Sequence, residues 1–246
     1  MHFADFDAIL LDMDGTLYRE SHLLPGAAVL IERIREHDLP LACVTNAGAV
    51  TGEQLSAKLA AMGIDMPARR IFTASRAMAD WIRDRFDAPR VFNFAGRALV
   101  EELQGHATFV TDPDAACDVV AVASFMREND VLFDIDYALV GLAHLRRGAA
   151  LLVGCPDRVF PIGDGRMEFG SGAWGMLLAY AANVEPARHH YAGKPEPGFF
   201  RSVCRTLGVS PERCLMVGDN LEADIAGAAG VGMTTALVLT GVARRE

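Results

Sequence analysis

Short apolar runs alternate along this chain with longer segments in which apolar residues recur every three or four positions. The first run, Ala8–Leu11, is followed at once by polar residues and a glycine, as at the end of a buried strand. Similar runs occupy 39–44, 118–123 and 214–217. Strands that alternate with helices of about 10–15 residues predict parallel βαβ units, and hence an α/β fold.

The remaining elements follow the same alternation, and 160–168, with its glycines and proline, predicts a turn-rich hairpin or loop. The predicted helices are 25–37, 51–63, 75–85 (capped by Ser75), 137–146, 172–182, 198–207 and 223–229, and the further predicted strands are 71–73, 91–93, 151–154 and 234–239.

Composition narrows the class of protein. The 246 residues are 51% hydrophobic, which is enough for a sizeable core. The net charge of −9 argues against nucleic acid as the main partner, because neutralising phosphates needs a basic face. No apolar stretch approaches the ~20 residues of a membrane span. The five cysteines form no C-x-x-C pair and the N-terminus lacks the features of a signal peptide, so reduced thiols and a cytoplasmic location are expected.

Polar side chains follow three of the predicted strands at the point where each strand ends. In a parallel sheet all carboxyl ends lie on one edge, which is where open α/β sheets bind ligands. A lysine in a Gly-Lys-Pro turn at the start of a helix could join them. The residues concerned are Asp12 and Asp14, Thr45 and Asn46, Asp219 and Asn220, and Lys194.

This set suits chemistry on a phosphoryl group. Asp12 is a candidate nucleophile, since a carboxylate can attack phosphorus without a base and would form an aspartyl-phosphate. Asp14 is a candidate acid that protonates the leaving oxygen and then activates water as a base. Asp12 and Asp219, with a backbone carbonyl and waters, suit Mg²⁺. Such an ion would offset the repulsion between this acidic cluster and an anionic substrate.

The remaining phosphoryl oxygens would be held by Thr45, the amides around Asn46 and the Lys194 ammonium, while Gly15 lets the backbone approach closely. Each residue alone has a plainer explanation, because an Asp or Thr at such a turn is often a helix cap and a lysine is usually solvated. The joint pattern, at successive strand exits and a helix entry, is what favours a reaction site.

In this order the motifs resemble the four signature motifs of the haloacid dehalogenase superfamily. They are Asp12-x-Asp14-Gly15-Thr16, Thr45-Asn46, Gly193-Lys194-Pro195 and Gly218-Asp219-Asn220-x-x-x-Asp224. The chain is most similar to the large-cap (C2) branch that includes NagD-like and p-nitrophenyl phosphatase-like enzymes. Leu24-Pro25-Gly26-Ala27 and Val238-Leu239-Thr240-Gly241-Val242 also fit this branch.

The resemblance implies a Rossmann-like parallel-sheet core of residues 1–75 and 186–246, with an α/β cap inserted at 76–185. It implies that Asp12, the Asp14 carbonyl and Asp219 bind Mg²⁺. It also implies that Asp224, beside Asn220, supports the metal or the lysine, and it allows a homodimer through the cap.

Two positions depart from the branch. Ala47 stands where a second asparagine often follows Thr-Asn, and Cys155-Pro156-Asp157 replaces the usual Asn-Pro-Asp of the cap. Asp157 is retained, and we expect it to contact the substrate from the cap. The cysteine puts the usual substrate preference of the branch in question.

Together these observations predict an Mg²⁺-dependent phosphatase acting on a small phosphorylated metabolite such as a sugar phosphate or nucleotide. A phosphotransferase or mutase on the same core is the enzymatic alternative, and phosphate release without an acceptor separates the two. A dehalogenase would leave Asp14 and Asp219 without a role. A phosphoaccepting receiver would be about half this length and would lack an acid placed like Asp14, and a catalytically silent binding protein is disfavoured by the complete motif set.

Overall fold

A computed structural model describes residues 2–126, 135–161 and 166–243. The chain divides into two compact units. The first comprises Met1–Thr45, Gly52–Phe72 and Lys194–Glu246, and the second comprises Asn46–Thr51 and Thr73–Gly193. Within the described residues, each unit is built around a five-stranded sheet in which every pairing is parallel. The α/β class predicted from the sequence is therefore confirmed.

The elements of both units are short, and all are numbered here along the chain. The strands are β1 (Ala8–Asp12), β2 (Tyr18–Arg19), β3 (His22–Leu23), β4 (Leu41–Val44), β5 (Ile71–Phe72), β6 (Arg90–Ala95), β7 (Thr108–Phe109), β8 (Val119–Met126), β9 (Ala150–Val153), β10 (Val159–Pro161), β11 (Met167–Phe169), β12 (His189–Tyr191), β13 (Cys214–Gly218) and β14 (Thr234–Leu237). The α-helices are α1 (Ala27–Glu36), α2 (Gly52–Ala61), α3 (Ala74–Arg83), α4 (Gly96–Glu102), α5 (Ile135–Arg146), α6 (Ser171–Ala182), α7 (Pro197–Leu207) and α8 (Gly227–Ala229), and a π-helical segment, Leu221–Ala226, runs directly into α8.

The first unit places β1 at the centre of its sheet, in the order β14-β13-β1-β4-β5. All five residues of β1 are buried. A strand that is covered on both faces of a parallel sheet is apolar throughout rather than alternating, as Ala8–Leu11 are. Asp12 pairs with Val44 of β4, and Leu11 pairs with Val217 of β13. The carboxyl ends of these three strands thus lie side by side. The chain passes from β1 to β4 on one side and returns later to β13 on the other side. Such a switch point is the usual ligand position in open α/β sheets.

The second unit has the strand order β12-β9-β8-β6-β7. Side chains of β8 alternate between two cores, as the two-residue period of a strand requires. Val120 and Val122 pack with Phe92 and Phe94 beneath α5 and α6, whereas Val119 and Ala121 face the core that holds residues of α3 and α4. The antiparallel pair β10 and β11 confirms the predicted hairpin, although 162–165 lie outside the described residues.

Two local predictions were wrong. The cap of α3 is Thr73, whose hydroxyl accepts a hydrogen bond from the Arg76 amide at 3.1 Å, and Ser75 lies inside the first turn. Thr73 follows β5 directly and keeps the extended backbone that an N-cap requires. The last helical segment begins at Leu221 rather than 223, and it begins as a π-helix. Helix α4 and the short strands β2, β3, β7 and β12 were not predicted. Strand β12, His189–Tyr191, has no apolar run to mark it.

Within the described part of the chain, we find no helix long and apolar enough to cross a membrane. The five cysteines are all free thiols, and Cys117 is the one that is not fully buried.

Candidate active site

A buried ion-pair cluster lies at the carboxyl end of β1. The Lys194 ammonium donates to Asp12 Oδ1 and to Asp224 Oδ1, both at 2.6 Å, and approaches the carbonyl oxygen of Val44 at 3.4 Å. All three charged side chains are buried. Because an isolated buried charge is strongly disfavoured, the lysine and the two carboxylates stabilise one another's ionised forms.

Asp224 reaches this cluster because Asn220 shapes the segment that carries it. The Asn220 carboxamide oxygen accepts hydrogen bonds from the amides of Glu222 and Ala223, both at 3.0 Å, which caps the π-helical segment. In return, Asp224 Oδ2 accepts from the Asn220 amide at 3.0 Å. Both oxygens of Asp224 are therefore engaged, one by Lys194 and one by the backbone. π-Helical turns are rare and occur frequently at functional sites.

Asp219 completes an acidic cluster. One carboxylate oxygen each of Asp12, Asp219 and Asp224 lies within 4.8 Å of the other two. Asp12 Oδ2 is buried and has no hydrogen-bond partner among the described residues. Three carboxylates thus face one ammonium, and one carboxylate oxygen is left without a donor. This donor set fits a hard divalent cation, which binds oxygen ligands and would balance the excess negative charge.

The pKa values express the same imbalance. Burial raises the pKa of Asp12 to about 7, against the attraction of Lys194, and the nearby charges of Asp224 and Asp219 raise it further. Burial also raises the pKa of Asp219. Burial alone would lower the pKa of Lys194, but Asp12 and Asp224 hold it above its ordinary value, so the lysine remains an ammonium. The raised pKa values of Asp12 and Asp219 mean that ionising both carboxyls is unfavourable without a further cation.

Asp14 and Gly15 form the turn after β1. The Asp14 side chain is exposed and is not part of the acidic cluster. Desolvation by the surrounding protein raises its pKa, and the positive charges of Lys58 and Arg19 oppose this. Gly15 has φ +82°, and a β-carbon there would lie 2.5 Å from Asp219 Oδ2. Only glycine permits both this backbone conformation and this approach to the carboxylate.

The sequence analysis did not single out Lys58, whose positive charge acts on Asp14. Its ammonium lies 4.1 Å from the centre of the Tyr18 ring, and Tyr18 is buried two positions beyond Thr16 of the first motif. The scarcity of lysine could have drawn attention to this residue, since Lys58 and Lys194 are the two lysines in the whole sequence.

Thr45 and Asn46 follow β4 but fall in different units. Thr45 is buried in the first unit, and its amide donates to the Phe72 carbonyl oxygen at 2.9 Å. Asn46 belongs to the second unit, where its side-chain amide donates to Asp157 Oδ2 at 3.1 Å. The predicted pair therefore spans the boundary between the two units along the chain.

Asp157 is held by a second donor as well. The Cys155 thiol donates to the same Oδ2 at 3.1 Å, and Ser171 Oγ lies 3.1 Å from the Cys155 sulfur. Burial raises the pKa of Cys155 to about 12, so this group is a neutral thiol and a hydrogen-bond donor. Cys155 thus supplies a donor at the position where the branch usually has asparagine.

The structure brings six of the predicted site residues together in the first unit and places Asn46 with Asp157 in the second. The six are Asp12, Gly15, Lys194, Asp219, Asn220 and Asp224.

Comparisons with known proteins identify the family of this chain. Residues 9–108 match the family model for haloacid dehalogenase-like hydrolases, and residues 191–246 match a second model for HAD-like hydrolases. The ribonucleotide monophosphatase NagD of Escherichia coli (strain K12) is 30% identical over 235 residues, which cover 95% of this chain and 88% of NagD. Chronophin of Homo sapiens is 33% identical over 250 residues, covering 97% of this chain and 82% of chronophin.

Among solved structures, a p-nitrophenyl phosphatase from Archaeoglobus fulgidus superimposes with a TM-score of 0.88 at 25% identity, covering 98% of this chain and 89% of that chain. The chain belongs to the haloacid dehalogenase-like hydrolases and is a phosphatase of their NagD-like and p-nitrophenyl phosphatase-like branch.

The buried ion pair predicts a large loss of stability when its cation is removed. Lys194→Met leaves Asp12 and Asp224 without their shared donor, so we expect the free energy of unfolding to fall by about 3–5 kcal/mol. Lys58→Met is the matched control, since it removes a cation–π contact and we expect it to cost at most about 1 kcal/mol. Urea denaturation of both variants in EDTA measures the difference. Equal stabilities for the two variants would contradict the prediction.

Proposed function

We propose that this protein is an Mg²⁺-dependent phosphatase that hydrolyses small phosphomonoesters through an aspartyl-phosphate on Asp12. The observation that carries the proposal is the buried cluster in which Lys194 holds Asp12 beside Asp219 and Asp224. The relatives support the proposal, since they include a ribonucleotide monophosphatase, an acid sugar phosphatase and a dihydroxyacetone phosphatase. We infer a sugar phosphate, a nucleotide or a similar metabolite as the substrate.

The first step is attack of an Asp12 carboxylate oxygen on phosphorus. Lys194 fixes the orientation of this carboxylate through Oδ1 and contributes positive charge where the phosphoryl oxygens bind. The bond from phosphorus to the leaving oxygen breaks, and that oxygen takes a proton from the carboxylic acid of Asp14. The products are the free alcohol and a phosphoryl group bound to Asp12.

The second step returns the enzyme to its starting state. The Asp14 carboxylate accepts a proton from water, and the water oxygen attacks phosphorus. The bond between phosphorus and Asp12 then breaks and inorganic phosphate leaves. The exposure of Asp14 suits this double role, because a proton donor and acceptor must reach both the leaving group and solvent.

Mg²⁺ would be held by Asp12, Asp219 and the carbonyl oxygen of Asp14, and when bound it supplies positive charge that stabilises the phosphoryl group during transfer. Asp224 and Asn220 are supporting residues, since both oxygens of Asp224 are engaged by Lys194 and by the Asn220 amide. Thr45, Asn46 and Lys194 are proposed to bind the phosphoryl oxygens, and Gly15 to allow close approach of the backbone.

We also propose a division of labour along the chain, with residues 1–75 and 186–246 as the catalytic core and 76–185 as a cap that selects the leaving group. Support comes from connectivity, because the long segment Thr73–Gly193 of the second unit is inserted between segments of the first unit. A cap of this kind excludes bulk water during the reaction.

The nucleophile assignment predicts that Asp12→Asn reduces kcat by at least about 10³-fold, because an amide cannot form the aspartyl-phosphate. The measurement is release of inorganic phosphate from a panel of phosphomonoesters in Mg²⁺, with no acceptor alcohol present. Asp7→Asn, which alters an exposed partner of Arg213, serves as the matched control and is expected to retain activity. Retained turnover in a folded Asp12→Asn protein would show that the nucleophile lies elsewhere.

The Mg²⁺ assignment is tested with the native protein. Phosphatase activity that survives EDTA would contradict it.

We propose that Asp157 acts by positioning the side chain of Asn46, and that this role takes precedence over any contact of its own with the substrate. Its Oδ2 is already shared by the Asn46 amide and the Cys155 thiol. Asp157→Ala is expected to raise KM about ten- to hundredfold with a smaller change in kcat, since Asn46 loses a charge-assisted hydrogen bond. Asp157→Asn, which keeps an acceptor oxygen, should recover part of this loss. Asp114→Ala, at an exposed position of the same unit, is the control. An unchanged KM in Asp157→Ala would exclude the role.

A homodimer through the second unit is also proposed. α6 carries Met176, Leu177 and Tyr180 with 55%, 52% and 88% of their surface exposed, and large apolar side chains clustered on one helix are typical of protein contacts. Light scattering coupled to size-exclusion chromatography should give twice the chain mass for the native protein and the single mass for Leu177→Glu. A native protein that is monomeric at micromolar concentration would refute the dimer.

A further inference from the structure

After β14 the chain turns back over the catalytic motifs of the first unit. The segment Thr240–Ala243, here called the 240–243 loop, is tied to Asp219 by two backbone contacts. The Val242 amide donates to Asp219 Oδ2 at 2.5 Å, and the Ala243 amide donates to the Asp219 carbonyl oxygen at 3.0 Å. The loop therefore holds both the backbone and the side chain of one carboxylate in the acidic cluster.

The same loop is tied to the turn that follows β1. The Thr240 hydroxyl donates to the Gly15 carbonyl oxygen at 2.6 Å, and the Arg19 guanidinium donates to the Thr240 carbonyl oxygen. Thr240 thus ties the 240–243 loop to Gly15 of the first motif, 225 residues earlier in the chain. None of these contacts belongs to a helix or a strand pairing, so their geometry is specific to this loop.

Gly241 shows how closely the loop fits. A β-carbon at this position would lie 1.8 Å from Asp219 Oδ2 and 2.5 Å from its Cγ. The Cβ that Gly15 lacks would lie 2.5 Å from the same oxygen and 3.0 Å from the Gly241 Cα. Two glycines from distant segments therefore enclose one carboxylate oxygen of Asp219. A larger residue at either position must displace the carboxylate or the loop.

Enclosure of this kind leaves Asp219 one orientation. Its Oδ2 is fixed by the Val242 amide between the two glycines, so the plane of the carboxylate is set relative to Asp12 and Asp224. Hydrogen bonds that orient a ligating carboxylate are known to tune metal affinity, and their loss typically costs about 10–100-fold in affinity.

We propose that the 240–243 loop is a positioning element for the cation site, in which the Val242 amide and the close fit of Gly241 hold Asp219 ready to bind a divalent ion. The inference rests on the cation assignment in the proposed function. By linkage, an ion that binds the positioned carboxylate must in turn stabilise the loop that positions it.

The first test is the affinity for Mg²⁺ without substrate, measured by titration calorimetry. Gly241→Ala crowds the carboxylate, and Val242→Pro removes the amide donor. We expect each variant to weaken Mg²⁺ binding about tenfold or more. Val242→Ala is the conservative variant, since it keeps the amide and truncates a side chain that is 63% exposed, and its affinity should match that of the native protein. Native affinity in both folded disruptive variants would overturn the proposal.

The second test uses the unaltered protein and so does not depend on the folding of any variant. Hydrogen exchange of the peptide that spans 240–243 should slow when Mg²⁺ is added, whereas exchange in α7 should not change. Equal exchange in the loop with and without bound Mg²⁺ would overturn the proposal. A native protein that binds no Mg²⁺ would instead refute the cation assignment of the proposed function, so the two failures are distinguishable.

Discussion

The site depends on a single buried ammonium. Lys194 lies between Asp12 and Asp224 with 2.6 Å to each, in a place where none of the three charges is exposed to water. A cation is required there because two ionised carboxylates would otherwise repel each other in a medium of low polarity. One ammonium does not balance three carboxylates, however, since Asp219 lies within the same 4.8 Å cluster. The unmatched negative charge, with one Asp12 oxygen lacking a donor among the described residues, makes this edge of the sheet suited to a divalent ion.

The fold meets this constraint with residues from four distant segments. Parallel strand pairing places Asp12 beside Val44, and Leu11 beside Val217, so the residues that follow β1, β4 and β13 must emerge together. Beyond the strands, each charged group is fixed by local backbone geometry. Asn220 caps the segment that carries Asp224, and the Val242 amide holds Asp219 between Gly15 and Gly241. Rigid placement of this kind means that little reorganisation is needed when charge develops during phosphoryl transfer.

The second unit gives the chain features of its own. Asp157 binds the side chain of Asn46, and Cys155 donates to the same oxygen from a buried neutral thiol. The substitution of cysteine in the usual Asn-Pro-Asp motif therefore preserves a donor to Asp157, although a thiol is a weaker donor than an amide. Asn46, which follows Thr45 of the first unit directly along the chain, is therefore held by contacts within the second unit.

The sequence by itself determined the α/β class, most of the elements and the family, because apolar periodicity and strand-end motifs are local signals that need no knowledge of packing. It also predicted that Asp12 and Asp219 lie at one edge of the sheet, since each follows a parallel strand, and that Lys194 could join them. The sequence did not predict the cap of α3, the π-helical turn or strand β12, because each depends on which neighbour supplies a hydrogen bond. The partners of Lys194, the enclosure of Asp219 by the 240–243 loop and the contact between Asn46 and Asp157 were decided only by the tertiary structure. These contacts join residues about 20 to more than 200 positions apart, and such pairings are fixed by packing and charge balance rather than by any local pattern.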